Sequence, residues 1–388
     1  MPPLTLSKFR TPVAALALGG MLVAPVAAAE MEWSFETIGR GIKPALALDA
    51  SGTPHVTFLT EEMRGAVFYA TNQSGAWTTA TVAEGYFYGP VDIDVTPDGV
   101  PTIVYHDHED RRFRPELGSG VVAIGKSDGW ELVRLNDRGH DQWDADVAVE
   151  DNGIWHMAGI DPSQFGSQDG LEYATNAFGP PRVEQVGSGP LPYEFGVSIE
   201  VGTGGTVGIT YFDASGADLR LALRSPGEDG TWTITTVESE GDVGRYSSLA
   251  FAADGTPHIS YFAATGRGGG IVRYATQLPG GNWQIEDIGT LSNVAAGMTG
   301  ARKITALALD AQGNPHVMFS DRDTVVQASR EEGVWVATAI VKGRGRLGQL
   351  VEFALDSQGR PHVTFFEVTG SSPLMGDIIY ATATGGEA

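Results

Sequence analysis

The chain has no cysteine among its 388 residues, which excludes disulfides, thiolate chemistry and cysteine-based zinc sites. It is also poor in basic residues, because 25 Lys and Arg stand against 48 Asp and Glu, giving a formal net charge of −23. Such an acidic surface repels nucleic acids and anionic lipids, so neither is expected as a partner. No G-x-S-x-G, H-E-x-x-H or P-loop motif is present.

Sustained helical periodicity is also missing, whereas glycine (52 residues) and proline (21 residues) are abundant. Many short strands joined by tight turns fit that composition. The length allows two or three ordinary domains or one large all-β domain. The segment "GRGRLG" at 343–348 matches G-x-G-x-x-G but precedes a predicted strand rather than a helix, so we reject nucleotide binding.

The N-terminus has the order of a secretory signal peptide. Lys8 and Arg10 precede an apolar run at 13–26, and the alanines at 27–29 supply a cleavage site. We expect cleavage after residue 29 and a secreted or periplasmic domain at 30–388; the alternative is an uncleaved anchor. No later run has the roughly 18 apolar residues of a membrane span.

A hairpin motif, first seen as "LALDASGTPHVTF", recurs along the chain. Each copy has a turn glycine, and the residues four and six positions before it are apolar, which predicts a strand that buries one face. Neighbouring turn glycines are 46 to 58 residues apart, as in propeller blades rather than helical repeats. We number the repeats one to seven by these glycines: Gly52, Gly99, Gly153, Gly205, Gly255, Gly313 and Gly359.

The rest of each repeat predicts two further strands, one with a Tyr-Ala pair and one that opens on a tryptophan. Repeat seven ends without its tryptophan strand, but "EWSFETIG" at 32–39 resembles "NWQIEDIG" at 282–289. The first strand of the mature chain would therefore complete the last blade and close the ring, which removes exposed sheet edges. We predict an all-β, seven-bladed β-propeller of four-stranded antiparallel blades.

The pattern "G-x-P-H-V-x-F … Y-A-T … G-x-W" resembles the repeats of secreted bacterial β-propellers, either sialidase-like (Asp-box) or fucose-lectin-like. "KSDGW" before Trp130 and "GEDGTW" before Trp232 stand where sialidase-like propellers place the Asp-box, without its full spacing. The resemblance covers almost the whole mature chain. It implies the fold rather than an activity, since this fold carries lectins, lyases, hydrolases and scaffolds.

Histidines fall into two groups. Five occupy the same place, three residues after the turn glycine, so we predict that they pack or hydrogen-bond within the blades: His55, His156, His258, His316 and His362. His106, His108 and His140 break the repeat and lie in or beside the links around repeat two.

The loops and links around repeat two should emerge on one face of a propeller. We predict a ligand site there; the alternative is a solvated, charged loop. The candidate ligand-binding residues are Tyr86, Tyr88, His106, Asp107, His108, Arg111, Arg112, His140, Asp141 and Tyr246. His106 and His108 also have the spacing of metal ligands on an extended strand, with His140, Asp141 or Glu109 as a third.

Acidic residues on the inner strands suggest a second site. Most repeats have Ala or Ser five and seven residues before the turn glycine, but Asp92, Asp94 and Asp146 replace them, as do Glu200 and Glu352. A carboxylate ring of this kind would bind Ca²⁺ or Mg²⁺. The alternatives are a water-filled channel lining and pairing with the inserted arginines.

Arginines in the links offer one more grouping. Arg245, Arg302 and Arg346 precede repeats five, six and seven, and together they would recognise a carboxylate or sulfate. Their offsets from the turn glycine differ, so the sequence does not establish that they converge.

Two functions follow. The first is an exported, monomeric propeller that binds a glycan or an extracellular protein without catalysis, through a single aromatic-rich site. The alternative resembles propeller lyases of acidic polysaccharides: His106 or His140 as base, Tyr88 as acid, and Arg111 or Arg112 on the uronate. A glycoside hydrolase built on Asp107, Glu109 or Asp141 is a variant.

Overall fold

The computed structural model describes residues 31–61, 63–108, 118–135, 144–161, 170–188, 191, 195–266, 268–291, 304–321, 324–342, 347–368 and 375–384. All regular secondary structure in these ranges is β-strand. These ranges contain no helix that is long and apolar enough to cross a membrane.

The strands, in chain order, are β1 (Trp33–Leu48), β2 (Pro54–Leu59), β3 (Met63–Thr71), β4 (Thr78–Val95), β5 (Pro101–His108), β6 (Gly118–Lys126), β7 (Gly129–Arg134), β8 (Asp146–Val149), β9 (Trp155–Asp161), β10 (Gly170–Thr175), β11 (Glu184–Ser188), β12 (Val197–Gly202), β13 (Thr206–Asp213), β14 (Asp218–Arg224), β15 (Trp232–Glu238), β16 (Asp242–Phe251), β17 (Pro257–Gly266), β18 (Gly269–Gln277), β19 (Trp283–Leu291), β20 (Thr305–Leu309), β21 (Pro315–Asp321), β22 (Thr324–Glu331), β23 (Val334–Lys342), β24 (Leu347–Leu355), β25 (Pro361–Val368) and β26 (Gly376–Ala383).

The predicted hairpin turn is present and its chemistry explains it. The side chain of Asp49 accepts the amides of Ser51 and Thr53, each at 2.9 Å, which folds the chain back on itself. Gly52 closes the turn at φ 79°, where a side chain would be strained. All seven turn glycines share this left-handed conformation, so the repeat has a common structural cause.

The described strands form antiparallel sheets. Four sheets have four strands each: β8 to β11, β12 to β15, β16 to β19 and β20 to β23. A fifth has ten strands in the order β24-β25-β26-β1-β2-β3-β4-β5-β6-β7. Here β1 and β4 each change partner along their length, so one strand serves two neighbouring repeats.

The N-terminal strand pairs with the end of the chain, as the sequence predicts. Trp33 lies opposite Ala383 and Gly41 lies opposite Gly376, while residues 42–48 of the same strand pair with β2. The first strands of the repeats also contact one another in succession: β1 with β4, β4 with β8, β8 with β12, β12 with β16, β16 with β20, β20 with β24, and β24 with β1. We call these the inner strands, and we call the contact between two neighbouring repeats a seam.

Repeated histidines help to hold the seams. In four repeats the Nδ1 of the histidine lies 2.5–2.7 Å from a tyrosine hydroxyl of the third strand: His55 with Tyr69, His156 with Tyr173, His258 with Tyr274, and His362 with Tyr380. Each of these tyrosines meets a tryptophan of the neighbouring repeat edge-on, at ring-centroid distances of 5.1–5.4 Å. The prediction that these four histidines pack and hydrogen-bond within the fold is confirmed.

Candidate functional site

The two non-repeated histidines of repeat two lie at the end of β5, between two paired strands. His106 is opposite Tyr88 on β4 and His108 is opposite Tyr86, while Gly120 and Gly118 of β6 flank them on the other side. Directly opposed residues share one face of a sheet. The register therefore brings Tyr86, His106 and His108 to the same face, and it pairs Tyr88 with His106.

This histidine pair faces the seam between repeats two and three. Val104, on the same face of β5, packs in a cluster with Val147 and Met157 of repeat three. His106 and His108 follow in the same direction and are buried, with 1% and 3% of their surfaces exposed. Their rings are 4.5 Å apart, edge to face.

The equivalent position in most other repeats is apolar. Seven residues after the turn glycine, five repeats bury a large apolar side chain: Leu59, Ile160, Phe212, Phe262 and Phe366. Repeat two buries His106 there and repeat six buries Ser320. His106 and Ser320 are therefore the two polar side chains at a position that is otherwise apolar.

The structure separates Asp107 from its neighbours. Because side chains alternate along a strand, Asp107 points to the opposite face from His106 and His108. It accepts a hydrogen bond from Arg134 Nη2 at 2.5 Å. Asp213, the equivalent residue of repeat four, also pairs with an arginine, but that arginine, Arg220, lies on the third strand of its repeat whereas Arg134 lies on the fourth.

Tyr246 belongs to a different seam. Its ring lies 5.8 Å from Phe195 and 6.3 Å from Phe262, and its amide donates to the carbonyl of Phe195 at 2.8 Å. The neighbouring Arg245 is held in a bidentate ion pair by Asp242 and lies over the Phe195 ring at 4.2 Å. Both residues therefore contribute to aromatic packing around repeat five.

Several predicted site residues lie outside the described residues: Arg111, Arg112, His140 and Asp141, together with the side chain of Tyr88, with Glu109, and with Arg302 and Arg346 of the arginine grouping. Their flanks are described. Leu135 donates its amide to the carbonyl of Gly120 at 3.0 Å, and Gly120 lies opposite His106. Leu135, the last described residue before His140, therefore lies next to the strand that pairs with His106.

Sequence reasoning missed Lys43. This lysine is 5% exposed and has a left-handed φ of 54°, in the irregular stretch where β1 turns from β26 to β2. Its Nζ donates to the carbonyl of Gly89 at 3.1 Å, next to Tyr88. The sequence did contain a signal for this site. Lys43 is a charged residue in the link before an inner strand, at the position where repeat four has Gly196.

Arg64 is a second residue that the motifs did not single out. It lies opposite Tyr86 on β3, in the cross-strand row that continues to His108. Lys43 and Arg64 are therefore two basic residues that lie against β4 in a chain whose net charge is −23.

The metal candidates on the inner strands have another explanation. Asp92 Oδ2 accepts the amide of Val147 at 3.0 Å, and Asp146 Oδ2 accepts the amide of Ile199 at 2.9 Å. Ser198 and Ser248 do the same at the next two seams, towards Leu249 and Leu307. In repeats two to five, the side chain seven residues before the turn glycine therefore accepts an amide of the next inner strand, a contact that we call a clamp.

No group of three His, Asp or Glu side chains within the described ranges is arranged to hold a metal ion. Asp94 also acts as a clamp, since its Oδ2 accepts the amide of Val149 at 2.6 Å. We predicted that Asp92, Asp94 and Asp146 belong to a carboxylate ring that binds Ca²⁺ or Mg²⁺. In the structure, each of these carboxylates accepts a hydrogen bond from a neighbouring inner strand.

Two carboxyls of the inner strands have raised pKa values. Burial raises the pKa of Asp94 to about 6, with the charge of Asp146 adding to the effect against the bonded amides. Burial, followed by the charges of Asp94 and Asp146, raises the pKa of Glu200 to about 8.

No protein-family model and no curated protein matches this chain. Solved structures do resemble it. A polysaccharide lyase of family PL25, an ulvan lyase bound to -[GlcA(1-4)Rha3S]-, has a TM-score of 0.56 at 12% identity, covering 90% of this chain and 94% of its own.

Two further solved structures also resemble this chain. The polysaccharide lyase Uly1 has a TM-score of 0.52 at 9% identity and covers 85% of this chain and 88% of its own. The SapL1 lectin in complex with alpha methyl fucoside has a TM-score of 0.50 at 11% identity and covers 80% and 98%. At these identities the likeness shows the fold alone, and that fold is of the β-propeller type.

Proposed function

We propose that the chain is a closed, seven-bladed β-propeller that binds a glycan at the mouth of the seam between blades two and three. Three observations support the closed ring. The inner strands contact one another in a cycle that returns from β24 to β1. The first strand pairs with the last. The ring of Trp77 packs on Tyr380 across the junction of the chain ends.

One observation carries the site. His106 replaces the large apolar side chain that five other repeats bury at its position, and the two buried histidines pair with Tyr86 and Tyr88 in the strand register. Imidazole and phenol groups offer both hydrogen bonds and flat apolar rings, the combination by which proteins hold sugars. The lectin and lyase structures of similar fold agree with a glycan ligand.

Only one such site is proposed per chain. Of the described blades, only blade two ends its second strand on two histidines, and the links differ from blade to blade. A repeated lectin array would need similar links at every seam. We propose that the protein acts as a monomer outside the cytoplasm, after removal of residues 1–29.

Glycan-array binding with residues 30–388 tests the proposal. We expect a selective set of bound glycans, lost or weakened at least tenfold in His106→Leu. Ser320→Ala changes the equivalent residue of repeat six and should leave binding intact. Equal binding by wild type and His106→Leu would contradict the assignment.

A polysaccharide lyase is the second candidate, because His106 and Tyr88 lie opposite each other in the register. In β-elimination a base removes the proton next to the uronate carboxylate. The bond to the leaving oxygen then breaks, that oxygen takes a proton from an acid, and a carbon–carbon double bond remains. Arg64 lies opposite Tyr86, in the row that continues to His108, and its positive charge would add to that of the predicted Arg111 and Arg112.

Incubation with a panel of uronate polysaccharides separates the two candidates. A lyase would produce ultraviolet absorbance from unsaturated products, and His106→Gln would abolish it. Glycan binding without any such absorbance would support the non-catalytic function and contradict the lyase.

A further inference from the structure

We propose that the seam between repeats two and three contains a recess that binds the hydroxyl groups of a neutral sugar. Gly120 and Gly159 stand on its two sides, and His106 and Glu172 are its polar groups. This inference rests on the proposed glycan site and deepens it, because it names the class of sugar that the site selects. Uronate and sulfated sugars would be excluded.

The other repeats show what normally fills this level of a seam. A buried aromatic ring stands six residues after the turn glycine in six repeats: Phe58, Tyr105, Tyr211, Tyr261, Phe319 and Phe365. It shares a cluster with the residue seven after the turn glycine of the preceding repeat, as Tyr211 does with Ile160 and Phe319 with Phe262. Repeat three has Gly159 at this position, so His106 of repeat two faces a glycine instead of a ring.

The opposite side of the same seam also has a glycine where a side chain is usual. The third-strand residue that pairs with the seventh residue after the turn glycine is a buried aliphatic in six repeats: Val67, Leu171, Leu219, Val272, Val325 and Ile378. In repeat two it is Gly120, which pairs with His106. The seam therefore has two glycines where other seams place an aliphatic and an aromatic side chain.

A buried carboxyl group stands beside Gly159. Glu172 pairs with Gly159 across β9 and β10 and is 4% exposed. The equivalent residues of the other repeats are apolar or arginine: Phe68, Val121, Arg220, Arg273, Val326 and Ile379. Repeat three thus combines a missing ring with an acidic side chain at the neighbouring position.

Glu172 and His106 lie at the same level of the seam. Met157 of β9 packs in a cluster with Val104 of β5. Two residues further along these strands, on the same faces, are Gly159 and His106. Since directly paired residues share a face, the side chain of Glu172 is directed to the seam that His106 also faces.

A narrow cavity joins the two sides. Leu135 of repeat two donates its amide to the carbonyl of Gly120 at 3.0 Å, and it lines this cavity together with Gly159 and Glu172 of repeat three. The other described residues around it are Met157, Tyr173, Ala174 and Val183. Among the described lining residues, Glu172 is the only acidic one and none is basic.

This composition fits a neutral sugar. A carboxylate only accepts hydrogen bonds, and it binds hydroxyl donors strongly. The imidazole of His106 adds a donor and an acceptor, and the apolar walls suit the C–H faces of a pyranose ring. A uronate or sulfate beside Glu172 would meet like charge in a poorly solvated seam. The recess therefore favours the non-catalytic candidate over a lyase of uronate polysaccharides.

Glycan-array binding with residues 30–388 tests this selectivity, with pairs of glycans that differ only in a terminal glucose or glucuronate. We expect the glucose member to bind more tightly by about tenfold or more, because like charges repel at a desolvated contact. Glu172→Gln keeps the shape of the side chain without its charge, so it should lower that ratio. Glu240→Gln removes an exposed carboxylate and should retain it.

Gly159→Phe tests the space itself, because it restores the ring that six other repeats bury. We expect glycan binding to be lost while the denaturant midpoint stays at or above that of wild type. Tyr211→Phe, at the equivalent position of repeat four, should leave binding unchanged. If Gly159→Phe does not fold, the ratio measured for Glu172→Gln decides.

Two results would overturn the recess and leave the proposed glycan site standing. One is equal or tighter binding of the glucuronate members. The other is binding that is lost in His106→Leu but unchanged in both Gly159→Phe and Glu172→Gln. An array on which no glycan binds would overturn the recess and the proposed function together.

Discussion

Histidines occupy the two opposite ends of the same kind of strand in this molecule. In repeats one, three, five and seven a histidine begins the second strand and bonds a tyrosine that packs on the next repeat. In repeat two that position holds Thr102, and the histidines end the strand instead. The first group stabilises a seam; the second occupies one where apolar side chains would pack better.

The comparison teaches that burial alone does not separate structural residues from functional ones. His55 and His106 are both almost fully buried. Their neighbours differ: His55 has a tyrosine and a turn carboxylate that recur in other repeats, whereas His106 replaces a recurring leucine, isoleucine or phenylalanine. The two groups should respond differently to substitution.

The largest effect is expected at Tyr380, which joins His362 to Trp77 where the two ends of the chain meet. Tyr380→Ala should lower the free energy of unfolding by about 3–5 kcal/mol, the usual cost of deleting a buried aromatic ring. Urea denaturation followed by tryptophan fluorescence measures it. Tyr86→Ala, at the half-buried mouth, is the control and should cost less than half as much.

A smaller loss is expected for His156→Leu, because it leaves the buried hydroxyl of Tyr173 and the carboxylate of Glu150 without their partner. An unsatisfied buried group costs about 1–3 kcal/mol, so the free energy of unfolding should fall by that amount. Tyr173→Phe in the same chain should recover part of the loss. A purely additive double mutant would show that the pair does not interact.

The repeated histidines should also make stability fall in acid. Burial lowers the pKa of His55, His156, His258 and His362 below the ordinary 6.5. Below pH 6.5 the unfolded chain therefore binds more protons than the folded one, and stability is lost as pH falls.

His258→Gln should make the loss between pH 6.5 and pH 5 shallower in denaturant titrations. Asp94 and Glu200 act with the opposite sign, so the comparison is the difference between variant and wild type. An identical slope in the two proteins would show that His258 does not contribute.

Much of the fold follows from the sequence, because turn, strand and apolar face recur and each copy confirms the others. Alternation along β5 could have placed Asp107 away from His106, but from the sequence we assigned both residues to one site. Contacts across seams were not predictable: the clamp from Asp92 to Val147 joins residues 55 apart through a side chain and an amide. Lys43 was missed because its left-handed backbone depends on how β1 changes partner.

The smallest effect on stability is expected at the residue proposed to matter most for binding. His106→Leu places in repeat two the side chain that repeat one already buries as Leu59, so the free energy of unfolding should stay within about 1 kcal/mol of wild type or rise. The reverse change, Leu59→His, buries a polar ring in an apolar site and should cost about 1–3 kcal/mol. A stable His106→Leu protein that no longer binds glycan would separate the two groups of histidines. A large loss of stability would instead assign His106 to the structural group, and the candidate site would then rest on the tyrosines alone.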